Sequence, residues 1–342
     1  MSTHDTEQAT ELAGAVTWQT TEDERHRART DDGWNIGLYH YRPDGAARGL
    51  PVLLGHGLAG SRYIFDAHED YSMARALAAR GLDVWLVDLR GRNASWPDGG
   101  PEPELQWTFD DFVFRDVPAV TDYVAAATGR DALHWVGTEM SGLALYATVI
   151  SGSAPRLAGG VTMGSPAITP PEGEVPGVTT PFPQRSGTRY PFSMVREVGP
   201  QLARDRSEVL DSSFLTTNTD WVVTARYFAH GVPDEATGIV DQFRDWMEHT
   251  TMRSVGHSVV WSDRLAEFDR PVLLIAGAAD RQRPPAGVVS THAALGSADR
   301  TLVVAGEASG WPIDVGHDDL LAGLTAPTHT FPLVADWLLA HG

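Results

Sequence analysis

Short apolar runs alternate along this chain with stretches of helix length, and this alternation is the strongest restriction on its fold. The runs are rich in Val, Leu and Ile and cover residues 51–55, 83–88, 133–136, 157–163, 271–276 and 301–305. Strands that are apolar on both faces and separated by helices form a parallel sheet with helices on both sides. We therefore predict an α/β fold with a mostly parallel sheet. An Asp-Asp-Gly turn at residues 31–33 also predicts an antiparallel hairpin near the N-terminus.

The alternation pauses between residues 165 and 265, and this pause indicates an insertion. The segment begins rich in Pro, Gly and Thr, and then shows helical patterning with large aromatic residues. An insertion of this kind covers the carboxyl ends of the strands, where open α/β sheets bind ligands. We predict three parts: a flexible N-terminal tail at residues 1–22, an α/β core formed by residues 23–164 and 266–342, and a mainly helical cap at residues 165–265.

Composition excludes several classes of function. All 26 basic residues are arginine and cysteine is absent, so lysine Schiff-base and thiolate chemistry are excluded. The formal charge of −19 disfavours nucleic acid as a partner, because phosphate binding needs clustered positive charge. The sequence has no apolar run long enough to span a membrane and no signal-peptide pattern at its start, so we predict a cytoplasmic protein.

Motifs for metals and nucleotide cofactors are also absent from the sequence. The 13 histidines show no spaced metal-ligand pattern, and no G-x-G-x-x-G element opens a dinucleotide-binding unit. We therefore predict no metal site and no cofactor, and expect a partly apolar small molecule as the ligand.

The segment L-H-W-V-G-T-E-M-S-G at residues 133–142 predicts a strand, a sharp turn and a helix. In the G-x-S-x-G nucleophile elbow, a strained turn of this type lifts a serine above the sheet. Here Gly137 fits the first glycine, Glu139 stands at the nucleophile position, and Ser141 replaces the second glycine.

Three further motifs follow the order that this elbow requires. H-G-L-A-G-S at residues 56–61 follows a strand, a later strand ends at Asp280, and V-G-H-D-D surrounds His317. With the elbow, these motifs resemble the α/β-hydrolase superfamily, especially its lipase- and esterase-like members, in which nucleophile, acid and histidine occur in this order.

The resemblance implies a role for each matching position. Asp280 would orient His317, and His317 would be the acid or base. The backbone N–H groups of Leu58 and Met140 would form an oxyanion hole. Between the carboxylates of Glu139 and Asp280, the His317 ring is expected to be an imidazolium.

The H-G-L-A-G-S segment at residues 56–61 resembles the oxyanion loop of lipases. Substrate contacts are predicted less specifically, at His56 beside this oxyanion loop and at Tyr190, Trp221 and Tyr227 in the insertion. The simpler interpretation of His56 is that it supports the loop by hydrogen bonding. Most of the aromatic residues of the insertion are expected to pack against each other, with some facing the ligand.

A glutamate at the elbow leaves several functions open. Glu139 is a candidate nucleophile toward an epoxide, alkyl halide or acyl group, or a general base. The base role would suit hydrolysis of an ester or lactone, or a non-hydrolytic cyclisation, elimination or C–C cleavage. Ser141 is an alternative nucleophile, and a catalytically inactive binding or scaffold protein is a further alternative. From the sequence we favour an enzyme acting on an ester- or lactone-like carbonyl.

Overall fold

A nine-stranded, mostly parallel sheet forms the centre of the fold. The computed structural model describes residues 10–102, 104–168 and 187–342. The strands are β1 (Glu24–Arg29), β2 (Trp34–Tyr41), β3 (Val52–Gly55), β4 (Val84–Asp88), β5 (Trp96–Pro97), β6 (Leu133–Thr138), β7 (Leu157–Met163), β8 (Arg189–Tyr190), β9 (Glu235–Ala236), β10 (Val272–Gly277) and β11 (Arg300–Ala305). The short strands β8 and β9 pair with each other outside the main sheet.

The strand order of the main sheet is β1-β2-β4-β3-β6-β7-β10-β11, with β5 paired to β2. Strands β4, β3, β6, β7, β10 and β11 run parallel, whereas β1, β2 and β5 pair antiparallel. The predicted fold class and the predicted hairpin are both confirmed.

Helices connect the strands and cover both faces of the sheet. The longer ones are α1 (Met73–Ala79), α2 (Val117–Thr128), α3 (Met140–Ser151), α4 (Val195–Arg204), α5 (Trp221–Gly231), α6 (Thr237–His249), α7 (Pro285–Ala294) and α8 (Phe331–Ala340). Side chains alternate across each strand, so that Trp135 and Val136 of β6 pack into two separate apolar clusters. The central strands β3, β4, β6 and β10 are buried along their whole length, which explains why they are mostly apolar.

The helical stretch from Phe109 to Thr128 is interrupted near its start. A π-helical turn at Phe112–Asp116 precedes α2, and the N–H of Val117 donates to the carbonyl of Phe112, five residues earlier. Pro118 follows directly and has no N–H to donate, so the α-helical bonding pattern cannot run through this point.

The described part of the insertion, residues 165–168 and 187–265, contains α4, α5, α6 and the β8–β9 pair. A buried ion pair between Arg92 of the core and Glu235 attaches it to the sheet, and both side chains are fully buried. The predicted boundaries at 165 and 265 stay a prediction, and most of the predicted Pro/Gly/Thr-rich loop lies outside the described residues.

The N-terminal segment differs from the expected flexible tail. Residues 10–15 form a helix, and the indole of Trp18 donates to the carbonyl of Asp66 at 2.7 Å. Arg226 of α5 donates to the carbonyl of Ala15 at 2.8 Å. The polar sequence suggested a loose segment, but these hydrogen bonds attach residues 10–22 to both the core and the insertion. Residues 1–9 lie outside the described part of the chain.

Among the described residues, every helix is too short or too polar to cross a bilayer.

Candidate active site

Glu139 occupies the tip of a strained turn between β6 and α3. Its backbone has φ 47° and ψ −108°, a conformation that non-glycine residues rarely adopt. The turn is tight: a Cβ atom at Gly137 would lie 2.4 Å from the backbone carbon of Ser141. Glycine is therefore required at 137, and the Glu139 side chain is directed above the carboxyl end of β6.

The Glu139 carboxylate fills the oxyanion hole that the sequence predicted for a substrate. Oε2 accepts the backbone N–H of Leu58 at 2.9 Å and that of Met140 at 2.7 Å. These are the two donors expected to bind an oxyanion. The prediction that they are available to a substrate carbonyl is therefore wrong for this state of the protein, because the extra length of glutamate over serine brings its own oxygen to them.

Arg283 binds the other oxygen of Glu139. Its Nε and Nη2 donate to Oε1 at 3.1 and 2.7 Å, and the glutamate is only 7% exposed. Burial raises the pKa of Glu139, but the Arg283 charge and the Leu58 N–H outweigh it and hold that pKa below its ordinary value. The carboxylate is therefore ionised, and each of its oxygens accepts two hydrogen bonds.

Replacing Arg283 by Met is expected to destabilise the fold by about 3 kcal/mol at neutral pH, since it leaves a buried carboxylate without its cation. In the wild type, the lowered pKa of Glu139 stabilises the fold at pH values above the ordinary pKa of glutamate, and this stabilisation is lost as the pH falls through the lowered pKa. Without Arg283 the pKa is expected to rise above the ordinary value, so the destabilisation should shrink as the pH is lowered from 7.5 to 5. Urea unfolding at both pH values measures this change.

Arg281→Met is the matched control, because Arg281 lies two residues away and its side chain is 65% exposed. Equal unfolding free energies for the two variants would contradict the importance of the Glu139–Arg283 pair.

Asp280 holds both His317 and the segment that carries Arg283. Its Oδ2 lies 2.7 Å from Nδ1 of His317, while its Oδ1 accepts the backbone N–H groups of Gln282 at 2.9 Å and Arg283 at 2.7 Å. This one carboxylate therefore positions both the histidine ring and the backbone of Arg283.

The electrostatic environment favours the charged form of His317. Burial lowers its pKa, but the carboxylate of Asp280, with further contributions from Asp318 and Glu139, raises the pKa to about 9. The ring is an imidazolium at neutral pH, in agreement with the expectation from the sequence. It is consequently a ready acid and a poor base in the resting protein.

A cavity of about 410 Å³ opens above these groups. Its polar wall includes Glu139, Arg283, His317, Gln282 and Asp318, and burial raises the pKa of Asp318 to about 6. The apolar wall comes largely from the insertion and includes Phe192, Val195, Phe214, Tyr227, Phe228, Val232 and Met247. The cavity therefore suits a partly apolar molecule with one reactive polar group.

Tyr227 is the predicted insertion residue that the structure brings to the cavity. A Cβ atom at Gly60 would lie 3.3 Å from its hydroxyl oxygen, so this hydroxyl lies against the oxyanion loop. Burial raises the pKa of Tyr227 well above its ordinary value, and the charges of Asp318 and Glu139 add to this effect. The hydroxyl is therefore neutral and able to donate.

The other predicted substrate contacts lie elsewhere. His56 is fully buried; its Nδ1 lies 2.9 Å from the carbonyl of Gly57, and its Nε2 accepts the N–H of Leu89. The prediction that His56 contacts substrate is wrong, because one ring nitrogen is bonded to the loop at Gly57 and the other to the backbone of Leu89, directly after β4. Tyr190 packs on Phe192, and Trp221 packs at the edge of an apolar cluster; neither lines the cavity.

Ser141 is unavailable as a nucleophile. Its side chain is completely buried, and its hydroxyl donates to the carbonyl of His56. It links the first turn of α3 to the oxyanion loop, which is a packing role.

Arg283, Gln282 and Asp318 are among the polar residues of the cavity that were not predicted from the sequence. The run R-Q-R at residues 281–283 directly after Asp280 was the visible signal. Nothing in the sequence pairs that run with an elbow 144 residues away.

Comparison with known protein families settles the relationship that the motifs indicated. A family model described as "alpha/beta hydrolase fold" matches residues 51–312, which is most of the chain. The chain belongs to the α/β-hydrolase family.

Among characterised proteins, this α/β-hydrolase is similar to several lipases over part of its length. Lipase 1 of Drosophila melanogaster is 35% identical over 123 residues, covering 34% of this chain and 27% of that protein. The poly(3-hydroxyalkanoate) polymerase subunit PhaC of Allochromatium vinosum is 33% identical over 103 residues, covering 29% and 27%. The match spans about a quarter of the length of each relative.

Solved structures show the same fold over nearly the whole α/β-hydrolase chain. A soluble variant of monoglyceride lipase from Saccharomyces cerevisiae superimposes with a TM-score of 0.60 at 18% identity, covering 95% of this chain and 97% of that one. The monoacylglycerol lipase of Paleococcus ferrophilus gives a TM-score of 0.56 at 17% identity, covering 89% and 99%.

Proposed function

We propose that this protein hydrolyses a partly apolar epoxide through a covalent ester formed on Glu139. The observation that carries the proposal is that Oε2 of Glu139 accepts both oxyanion-hole N–H groups. An ester formed at Oε1 would have its carbonyl oxygen in the hole from the start. The same arrangement disfavours the ester- or lactone-directed chemistry expected from the sequence, because a substrate carbonyl would find both donors occupied.

In the first step, Oε1 of Glu139 attacks one epoxide carbon and the C–O bond to that carbon breaks. The leaving oxygen needs a proton, and the His317 imidazolium supplies it; the pKa of about 9 supports this role. Tyr227, whose hydroxyl lies against the oxyanion loop, is the second donor available to that oxygen.

In the second step, water attacks Cδ of the glutamyl ester. His317, neutral after donating its proton, accepts the proton of the water. Esterification has also removed the Glu139 charge that helped to raise the pKa of His317, which favours this neutral form. The negative charge on the intermediate collects at Oε2, where the N–H groups of Leu58 and Met140 stabilise it. The intermediate collapses by breaking the Cδ–Oε1 bond, and the departing oxygen takes the remaining proton of the attacking water. This releases the diol with Oε1 in it, leaves His317 as an imidazolium, and regenerates a carboxylate in which one oxygen comes from water.

The charge on His317 favours an epoxide over an alkyl halide. A halide leaves as an anion and takes no proton, so the ring would still be an imidazolium when the second step requires a base. Epoxide opening consumes that proton and prepares the histidine for hydrolysis.

The ion pair with Arg283 favours a second candidate, a binding protein without turnover. Both hydrogen bonds from Arg283 to Glu139 end at Oε1, the oxygen that must attack, so the proposed reaction requires the guanidinium to move away when substrate enters. If Arg283 stays in place, the cavity still accommodates a small molecule but Glu139 cannot react.

Incubation with an aryl glycidyl ether in ¹⁸O-labelled water tests the proposal. A carboxylate nucleophile exchanges one of its oxygens with water at each turnover, so the peptide containing Glu139 is expected to gain ¹⁸O, as read by mass spectrometry after digestion. Glu235 is the internal control, because it is also a buried glutamate paired with an arginine and should stay unlabelled.

A labelled diol without any ¹⁸O in the peptide that contains Glu139 would contradict the covalent route and support Glu139 as a general base. Saturable binding of the ether with neither diol nor label would support the binding protein instead.

A further inference from the structure

A second cluster of chemically capable side chains lies on the N-terminal hairpin, outside the residues that line the Glu139 cavity. Glu24 of β1 is directly opposite His40 of β2 in the antiparallel register. His26 lies two residues after Glu24 and therefore on the same face of the sheet. The hairpin thus brings two imidazoles and one carboxylate together.

The three donor atoms converge on a common point. Oε2 of Glu24 lies 3.1 Å from Nε2 of His26 and 3.4 Å from Nδ1 of His40, and all three atoms lie within 4.8 Å of one another. Donors bound tetrahedrally to Zn²⁺ at 2.0–2.1 Å are about 3.4 Å apart, so the present spacing needs little adjustment.

The opposite ring nitrogens have partners that orient both histidines. Nε2 of His40 lies 2.6 Å from Oδ1 of Asp83, and Nδ1 of His26 lies 3.0 Å from the hydroxyl of Tyr123. A histidine that binds a metal commonly uses its second nitrogen in this way, because the outer partner fixes the ring and its tautomer. Trp85 stacks on the His40 ring at 4.0 Å between ring centroids, which further restricts it.

The carboxylate of the cluster is anchored. Arg42 pairs with the Oε1 atom of Glu24, leaving Oε2 directed at the histidines. The nearby guanidinium weakens the attraction of this carboxylate for a cation.

We propose that Glu24, His26 and His40 form a binding site for a divalent transition-metal ion such as Zn²⁺. Two imidazoles and a carboxylate are a donor set that suits zinc and its neighbours in the first transition series, with water completing the coordination. Such an ion would cross-link β1 to β2 and would stabilise the folded state by binding to it preferentially. The sequence pattern does not reveal this site, because the ligands become neighbours only through the register of the hairpin.

Titration of the untagged, chelator-treated protein with Zn²⁺ by calorimetry tests the site, with Co²⁺ absorption as a spectroscopic check of four-coordinate geometry. We expect one equivalent to bind, with a rise in Tm. Glu24→Gln and His26→Ala should each weaken binding at least tenfold, and Asp83→Asn should weaken it by about 10- to 100-fold through the outer partner of His40.

His249→Ala is the matched control, because His249 lies 3.2 Å from Asp245 but has no second histidine beside it. It should bind Zn²⁺ as the wild type does. Loss of binding in His249→Ala, or unchanged binding in both Glu24→Gln and His26→Ala, would show that the hairpin cluster is only hydrogen-bonded and would overturn the proposal. Circular dichroism of each variant separates loss of binding from loss of folding.

Discussion

His317→Gln is expected to turn the protein into a covalent trap for the aryl glycidyl ether. Glutamine cannot accept the proton of the water that must attack the glutamyl ester, so the second step stops while the ester remains. Tyr227 still offers a proton to the leaving oxygen in the first step. Intact-mass spectrometry should show one adduct per protein, located on Glu139, and steady-state turnover should fall by about 10³-fold.

Glu139→Gln supplies the control for this trap, because an amide nitrogen or oxygen is a far weaker nucleophile than a carboxylate. Neither adduct nor diol should form, and the double variant should behave like Glu139→Gln alone. An adduct of equal yield in Glu139→Gln would place the reacting group elsewhere and would exclude the proposed mechanism.

Glu139→Ser is expected to create an esterase that hydrolyses p-nitrophenyl butyrate. The substitution vacates the oxyanion hole and places a hydroxyl at the tip of the elbow near His317, whose ring Asp280 already orients. Two backbone donors aimed at a developing oxyanion support a gain on the order of 10²- to 10³-fold over wild type. The rate should rise with pH from 6 to 9, because His317 must lose its proton to act as a base.

Glu139→Ser has two effects: it empties the oxyanion hole and adds a nucleophile. Glu139→Ala separates them, since it empties the hole without adding a nucleophile. It should show no gain, because the buried Ser141 hydroxyl, bonded to His56, cannot replace a serine at 139. Equal esterase activity in the serine and alanine variants would mean that the oxyanion hole is not restored.

The order of strands and helices was readable from the sequence because each element carries its own signal. Strand β6 is apolar on both faces, Gly137 is the residue that a tight turn requires, and Gly152 ends α3 in the left-handed conformation that glycine favours. The position of Glu139 at the elbow follows from the same local signals.

Contacts between distant segments could not be predicted from the sequence. The ion pair that holds Glu139 depends on how the loop after Asp280 packs over the elbow, and no local pattern records that packing. The same limit explains why the described N-terminal residues, which are polar in sequence, are nevertheless anchored through Asp66. Long-range polar contacts of this kind are decided by the assembled fold rather than by periodicity.

The carboxylate in the oxyanion hole has a consequence for inhibition. From Cα outward, the atoms of Glu139 follow the same path as a serine that carries an acyl group, with Cδ in the place of the acyl carbon. Where a serine lipase or esterase would leave room for the fatty acid it releases, this protein already holds a carboxylate of its own, neutralised by Arg283. The carboxylate of a long-chain fatty acid therefore finds both backbone donors occupied, and neutral molecules of the same shape should be the stronger competitors.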